Sequence, residues 1–113
     1  MIQVFGTIKN RDTQKALRFF KERRIEVQFR DMNVKPPSPG ELDDMAAALG
    51  GFDQLLDVTS AAAKERGFQY LDYDPREELL LDSRLYKIPL IRAGKGRAVL
   101  GFDEKIIRNW SAS

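Results

Sequence analysis

The sequence predicts an α/β domain in which one sheet of about four strands carries helices on both faces. Three observations predict it. Strand, helix and strand signals follow one another within the first 30 residues, as in a βαβ unit. Two proline-led capping signatures, Ser38-Pro39-Gly40-Glu41 and Asp74-Pro75-Arg76-Glu77, launch helices in the middle of the chain. Two short β-like runs flank a glycine-containing loop, and an amphipathic segment follows them. The predicted order is β-α-β, a helical stretch over about 36–86, then β-β-α, in a single domain over residues 1–113.

Each element has a local reason. Ile2–Phe5 alternates, is rich in β-formers and ends at Gly6, which predicts the first strand. Ala16, Leu17, Phe19 and Phe20 then recur at helical spacing, with Arg18, Lys21 and Glu22 turned outward. Asp12 or Thr13 is expected to cap this helix, and Arg23-Arg24 near its end suits the helix dipole. Ile25–Arg30 sets Ile25, Val27 and Phe29 against Glu26, Gln28 and Arg30, predicting a second strand with one buried face.

Ser38 as cap, Pro39 at the first helical position and Glu41 three residues after the cap predict a helix to about Leu49. Its stripe is Leu42, Met45, Ala46 and Leu49, and Gly50-Gly51 supplies a left-handed stop. Over residues 52–67, Leu55, Leu56, Val58 and the Ala61–Ala63 run predict one or two short helices ending at Gly67. The helix launched at Asp74 is expected to run through Leu79, Leu80 and Leu81 and to stop before Pro89. Ile88–Arg92 and Ala98–Leu100 pair across the five-residue loop 93–97 as a hairpin. Asp103 caps a last helix whose apolar side is Ile106, Ile107 and Trp110.

Composition narrows the chemistry further. At 113 residues and 12.9 kDa, with 42% hydrophobic and 32% charged residues, the chain is a globular domain and not a disordered segment. It contains no cysteine and no histidine, which removes thiol chemistry, disulfides, Cys/His zinc sites and every Ser-His or Cys-His nucleophile pair. No metal and no cofactor is expected. The opening MIQVFGTIKN lacks the basic-then-apolar pattern of a secretory signal, and no window approaches a membrane span, so a cytoplasmic protein is expected.

Charge is uneven along the chain. Residues 1–35 carry nine Lys/Arg and four Asp/Glu, residues 36–83 three and eleven, and residues 84–113 seven and two. Two basic ends around an acidic middle predict that the ends come together and that the middle forms a separate layer. The overall balance of +2 is too small for a nucleic-acid footprint, so no direct nucleic-acid partner is expected. Asp43-Asp44 and Glu77-Glu78 are adjacent acids near helix starts; adjacent helical positions diverge by about 100°, so neither pair converges on a metal. Gly94-Lys95-Gly96-Arg97 lacks the following helix of a phosphate loop and reads as a turn.

Three segments resemble one family. Phe5-Gly6-Thr7-Ile8-Lys9-Asn10-Arg11-Asp12-Thr13-Gln14-Lys15-Ala16 resembles the opening of the arsenate reductase (ArsC)/Spx family, a "YGIKNCDTxKKA"-type segment between the first strand and first helix. Glu78–Ile91 is similar to the family's "LLxxPxLIKRPII", and Gly94–Asp103 to its "DGKxLVGFDE". The resemblance spans essentially the whole chain. It implies a thioredoxin-like fold, a mixed sheet of about four strands with a helical insertion, and a cis peptide at Pro89.

The departures govern the expected function. Arg11 stands where the family's enzymes have their nucleophilic cysteine, and Ile88 replaces the arginine of the Arg-Pro pair. A guanidinium has no nucleophilic lone pair and stays cationic, so the resembled reaction has no nucleophile here. The resemblance therefore implies a non-redox member with a binding or regulatory role. By analogy with Spx-like relatives, the resemblance implies a protein partner such as the RNA polymerase α subunit.

The alternative is an enzyme of the arsenate reductase/glutaredoxin-like group. It would bind an oxyanion or glutathione at the Lys9–Thr13 corner and take its sulfur from substrate or cofactor. The candidate ligand-binding residues under either reading are Lys9, Asn10, Arg11, Asp12, Thr13, Lys87 and Pro89. They are singled out because a strand-to-helix corner offers free N–H groups to an anion, which Arg11 and Lys9 would reinforce.

Overall fold

The computed structural model describes residues 1–112. Its strands are β1 (Ile2–Gly6), β2 (Val27–Asp31), β3 (Leu90–Ala93) and β4 (Ala98–Leu100). Its helices are α1 (Arg11–Glu22), α2 (Pro39–Leu49), α3 (Ala61–Arg66), α4 (Pro75–Leu81) and α5 (Glu104–Ala112), with 3₁₀ turns at Phe52–Gln54 and Ser83–Leu85. The sheet runs β2-β1-β3-β4, with β1 parallel to β2 and the other two pairs antiparallel. A mixed four-stranded sheet between two helical layers is the architecture the sequence predicted.

Register decides which side chains meet. Phe5 lies opposite Arg30 and Leu90, and Leu90 opposite Leu100. This face packs against the middle of the chain, where Phe5, Leu42, Met45, Leu55, Leu56, Leu79, Leu85 and Leu90 are fully buried together. Val4, Ile91 and Val99 share the other face, under Ala16, Phe19, Phe20 and Ile107 of α1 and α5. Period-two alternation thus sends β1, β3 and β4 into two cores at once. As the charge pattern implied, the two basic ends build the sheet and one helical layer, and the acidic middle is the other layer.

The middle layer is fastened to the sheet by ion pairs. Glu41 and Asp44 of α2 reach Arg30 of β2 and Arg92 of β3, at 2.9 and 2.8 Å. Part of the acidity of the middle is therefore used internally. The α2 start is built as its sequence signature implies: Ser38 Oγ accepts from the Glu41 N–H, Glu41 accepts from the Ser38 N–H, and Gly50 closes the helix at φ 94°. The short helices of 52–67 also form and end at Gly67, left-handed at φ 69°.

Four local expectations are corrected. The cap of α1 is Asn10, not Asp12 or Thr13; its side chain accepts from the Thr13 N–H, two to three residues earlier than the acid and hydroxyl suggested. β2 begins at Val27, two residues late, because Arg24 turns left-handed (φ 55°) and Ile25 bonds back to the Phe20 carbonyl. Arg30, expected on a polar outer face, is 7% exposed, since α2 covers that face. β3 begins at Leu90 and not Ile88: Pro89 has no N–H to give, and its carbonyl accepts instead from Gly101. The helix launched at Asp74 runs to Leu81 as expected; of its three leucines only Leu79 is buried, while Leu81 is 73% exposed, because the helix lies with one face on the core.

Among the described residues, no helix is long and apolar enough to cross a membrane.

Candidate functional site

The corner between β1 and α1 carries five of the seven candidate residues. Its shape follows from packing. Gly6 is the last residue of β1, and a Cβ there would stand 2.3 Å from Thr13 Oγ1, so only glycine lets α1 approach the strand this closely. Thr13 is fully buried, and its hydroxyl donates to Asn10 Oδ1 at 2.9 Å. The same Asn10 oxygen accepts from the Thr13 N–H at 2.8 Å. Asn10 itself donates its N–H to the Thr7 carbonyl at 3.1 Å, closing the turn.

This arrangement divides the candidates. Thr13 and Asn10 are committed to one another and hold the corner's shape. Lys9, Arg11 and Asp12 are exposed. Asp12 stands 3.9 Å from Lys15 one turn on. Lys9 and Arg11 have no ion pair or side-chain hydrogen bond among the described residues, and the N–H groups of Arg11 and Asp12 likewise have no partner among them. Two exposed cations beside the open N–H groups of a twelve-residue helix make a locally positive surface. A pocket filled by the Arg11 side chain, which would have made this residue structural, is not what the structure contains.

Pro89 joins this corner through the sheet. Phe5 pairs with Leu90, so continuing the antiparallel register sets Pro89 opposite Gly6, and the Ile88–Pro89 peptide is cis. Lys87 is held differently. Its N–H donates to the Leu55 carbonyl at 2.8 Å, while Tyr86 bridges to Leu56, so the segment before Pro89 is stitched to the helical layer. Tyr86 is 5% exposed and burial pushes its phenol above the usual range; its hydroxyl has no hydrogen-bond partner among the described residues.

Three of the four paired acids, Asp43, Asp44 and Glu78, are tied to arginines. Asp43 binds Arg76 of α4, whereas Asp44 turns to Arg92 and to the Gly96 N–H at 3.0 Å, so the neighbours diverge as expected for adjacent helical positions. Hydrogen bonding from these arginines holds both carboxyls below the ordinary 3.8. Glu78 pairs with Arg66. Among the described residues no three carboxylates gather as a metal site.

The feature that sequence reasoning missed is Arg30. Its guanidinium donates to both oxygens of Glu41, at 2.9 and 3.0 Å, and to the carbonyls of Lys35 and Pro36, and lies 4.8 Å from the centre of the Phe5 ring. Burial works to raise the Glu41 pKa, but the hydrogen bonds from Arg30, the Ser38 N–H and the Gln3 amide outweigh it and hold the carboxyl at about 2. The Glu41 of the capping box was the available signal. Its second role needed the three-dimensional register.

A mixed β2-β1-β3-β4 sheet between two helical layers, with a cis-proline just before β3, is a thioredoxin-like fold. Solved structures that share this fold include members of the arsenate reductase group. One is an ArsC-family-related protein from Bacteroides fragilis (TM-score 0.81, 17% identity, 96% of each chain covered). The YFFB protein matches at TM-score 0.81 with 19% identity over 96% of this chain and 97% of that one. An arsenate reductase from Vibrio cholerae matches at 0.80, with 16% identity over 95% of each. No protein-family model matches the chain, and no curated protein matches it. The fold is thus that of the arsenate reductase structures, on a chain with no cysteine.

Proposed function

We propose that this chain is a non-redox relative of the ArsC/Spx group that acts by binding, with the β1–α1 corner as its contact site. One observation carries the reading: a fold shared with arsenate reductases is built here from 113 residues without a single cysteine. Arsenate reduction and disulfide exchange both pass through a thiolate, and no side chain present supplies one. At the first position of α1 stands Arg11, exposed, with Lys9 beside it. These residues suit an anion that is held and left unchanged: a phosphate, arsenate or sulfate, the carboxylates of glutathione, or an acidic group on a protein.

Purified protein is assayed first for arsenate reduction and glutathione-dependent disulfide exchange; neither is expected, and turnover by protein free of contaminants refutes the reading. Isothermal titration with phosphate, arsenate and glutathione follows, with Arg11→Ala as the control. Millimolar binding lost in the variant supports the corner as the site. Absence of heat with all three ligands removes the small-anion form of the proposal. It leaves the protein-partner form, for which the RNA polymerase α subunit is the candidate that the resemblance suggests. Failure of a tagged protein to retain that subunit, or any other partner reproducibly, removes the second form.

A further inference from the structure

The helical layer carries a cavity of about 320 Å³ beside α3, lined by Val58, Ala63, Lys64, Phe68 and Gln69. It shares no residue with the β1–α1 corner. Its walls are apolar and fixed. Ala63 and Phe68 are buried, and Phe68 is stacked on Tyr73 with ring centres 4.2 Å apart. Val58 forms part of the rim and is 58% exposed, held up by the turn in which Asp57 accepts from both the N–H and the hydroxyl of Thr59. A β-branched apolar side chain left in water at the mouth of an apolar hollow is burial still available to a ligand.

Charge selects the kind of ligand. Of the three consecutive charged residues on α3, Glu65 pairs with Arg84 and Arg66 with Glu78. Only Lys64 lines the cavity, and its ammonium has no partner among the described residues. Gln69 adds an exposed amide to the rim, also without a partner among them. The carboxylates of Glu65 and Glu78 are already neutralised by arginine, so they leave Lys64 uncompensated. One cation and one amide at the edge of an apolar hollow complement a molecule with an apolar body and a single anionic end.

We infer that this cavity binds a small amphipathic carboxylate, its apolar part against Val58, Ala63 and Phe68 and its carboxylate on Lys64. Size agrees. A water takes roughly 30 Å³ of liquid, and bonded heavy atoms take less each, so the cavity has room for about ten or more of them. Phenylacetate and octanoate each have that many.

The test is a chemical-shift titration of the full chain with phenylacetate, octanoate and the neutral isostere phenylacetamide. Saturable shifts are expected for both acids at millimolar concentration, centred on Val58, Ala63, Lys64, Phe68 and Gln69. Lys64→Gln is expected to weaken both about fivefold, the range of an ion pair that remains partly exposed. Val58→Asp, at an exposed position that leaves folding intact, is expected to weaken them further by repulsion at the rim. Absence of saturable shifts overturns the inference, as do shifts centred elsewhere. So does binding of phenylacetamide as tight as phenylacetate, or an unchanged affinity in Lys64→Gln. None of these outcomes bears on the corner, whose anions are tested with Arg11→Ala.

Discussion

Replacing Glu41 by Gln removes one charge from a pair that folding has taken out of water. The side chains of Arg30 and Glu41 are 8% and 17% exposed, too little for solvent to screen the interaction. In the variant Arg30 keeps the carbonyls of Lys35 and Pro36 and loses its counter-ion. Two routes give the magnitude. Lowering the Glu41 pKa from 4.5 to about 2 corresponds to about 2.5 units, hence about 3 kcal/mol in favour of the folded state. Removing one member of a buried pair costs about 3–5 kcal/mol on general grounds. We expect about 3 kcal/mol at pH 7, or a fall of about 10–20 °C in Tm for a domain of this size.

The pH dependence discriminates this cause from a packing defect. Because the folded-state pKa is depressed, the stabilisation is complete above 4.5 and is lost as pH falls towards 2. The gap between wild type and Glu41→Gln should shrink to about half by pH 3. Urea unfolding followed by far-UV circular dichroism at several pH values between 7 and 3 measures it. A gap under about 1 kcal/mol at pH 7 refutes the reasoning. So does a gap that stays constant down to pH 3, which would mean that the lost contact was never electrostatic.

The remaining predictions concern the corner and the hairpin. Gly6→Ala should cost about 1–3 kcal/mol through collision with Thr13, and Thr13→Ala in the same chain should recover part of it; strictly additive losses in a double-mutant cycle would refute the contact. Asp44→Asn should destabilise by about 1 kcal/mol at pH 7, because it weakens the bonds to Arg92 and the Gly96 N–H. As the Asp44 carboxyl is held below 3.8, that penalty should be complete above this value and shrink progressively as pH falls beneath it, and a penalty that stays constant through the acid range would point to packing. Arg11→Cys would place a thiol at the first turn of α1 beside Lys9; its pKa, read from thiolate absorbance, should lie below about 8.5, and a value at or above this would mean that the corner is not electropositive.

The sequence was most legible where the physics is local. Ser38, Pro39 and Glu41 specify a helix start through bonds made within four residues, and the structure repeats that start without change. The strands were located by β-propensity and turns, but their faces depended on what lies across the sheet. Arg30 reads as solvent-facing because alternation assumes one wet side, and β2 has α2 packed over that side. Arg24 explains the late start of β2: a left-handed arginine carries no sequence signal of its own. Asn10 was overlooked as a cap because Asp12 and Thr13 are also good capping residues, and only the path of the chain shows which one precedes the first turn. The corner was visible as a segment, whereas the division of its residues into builders and exposed cations required burial and hydrogen bonding.

That division also limits what the survival of the corner can mean. Gly6 is required by the closeness of Thr13, Asn10 by the N–H of Thr13, and the Pro89 carbonyl by the N–H of Gly101. Each of these would be needed to build the fold even if no molecule ever bound there, so their presence says nothing about a ligand. Lys9 and Arg11 differ. Both are exposed and have no side-chain partner among the described residues, so truncating either should leave stability within about 0.5 kcal/mol of wild type. If Arg11→Ala weakens anion binding at unchanged stability, the residue at the head of α1 has a use that folding does not supply. If it changes neither, the corner holds no small anion, and only the protein-partner form of the proposal remains.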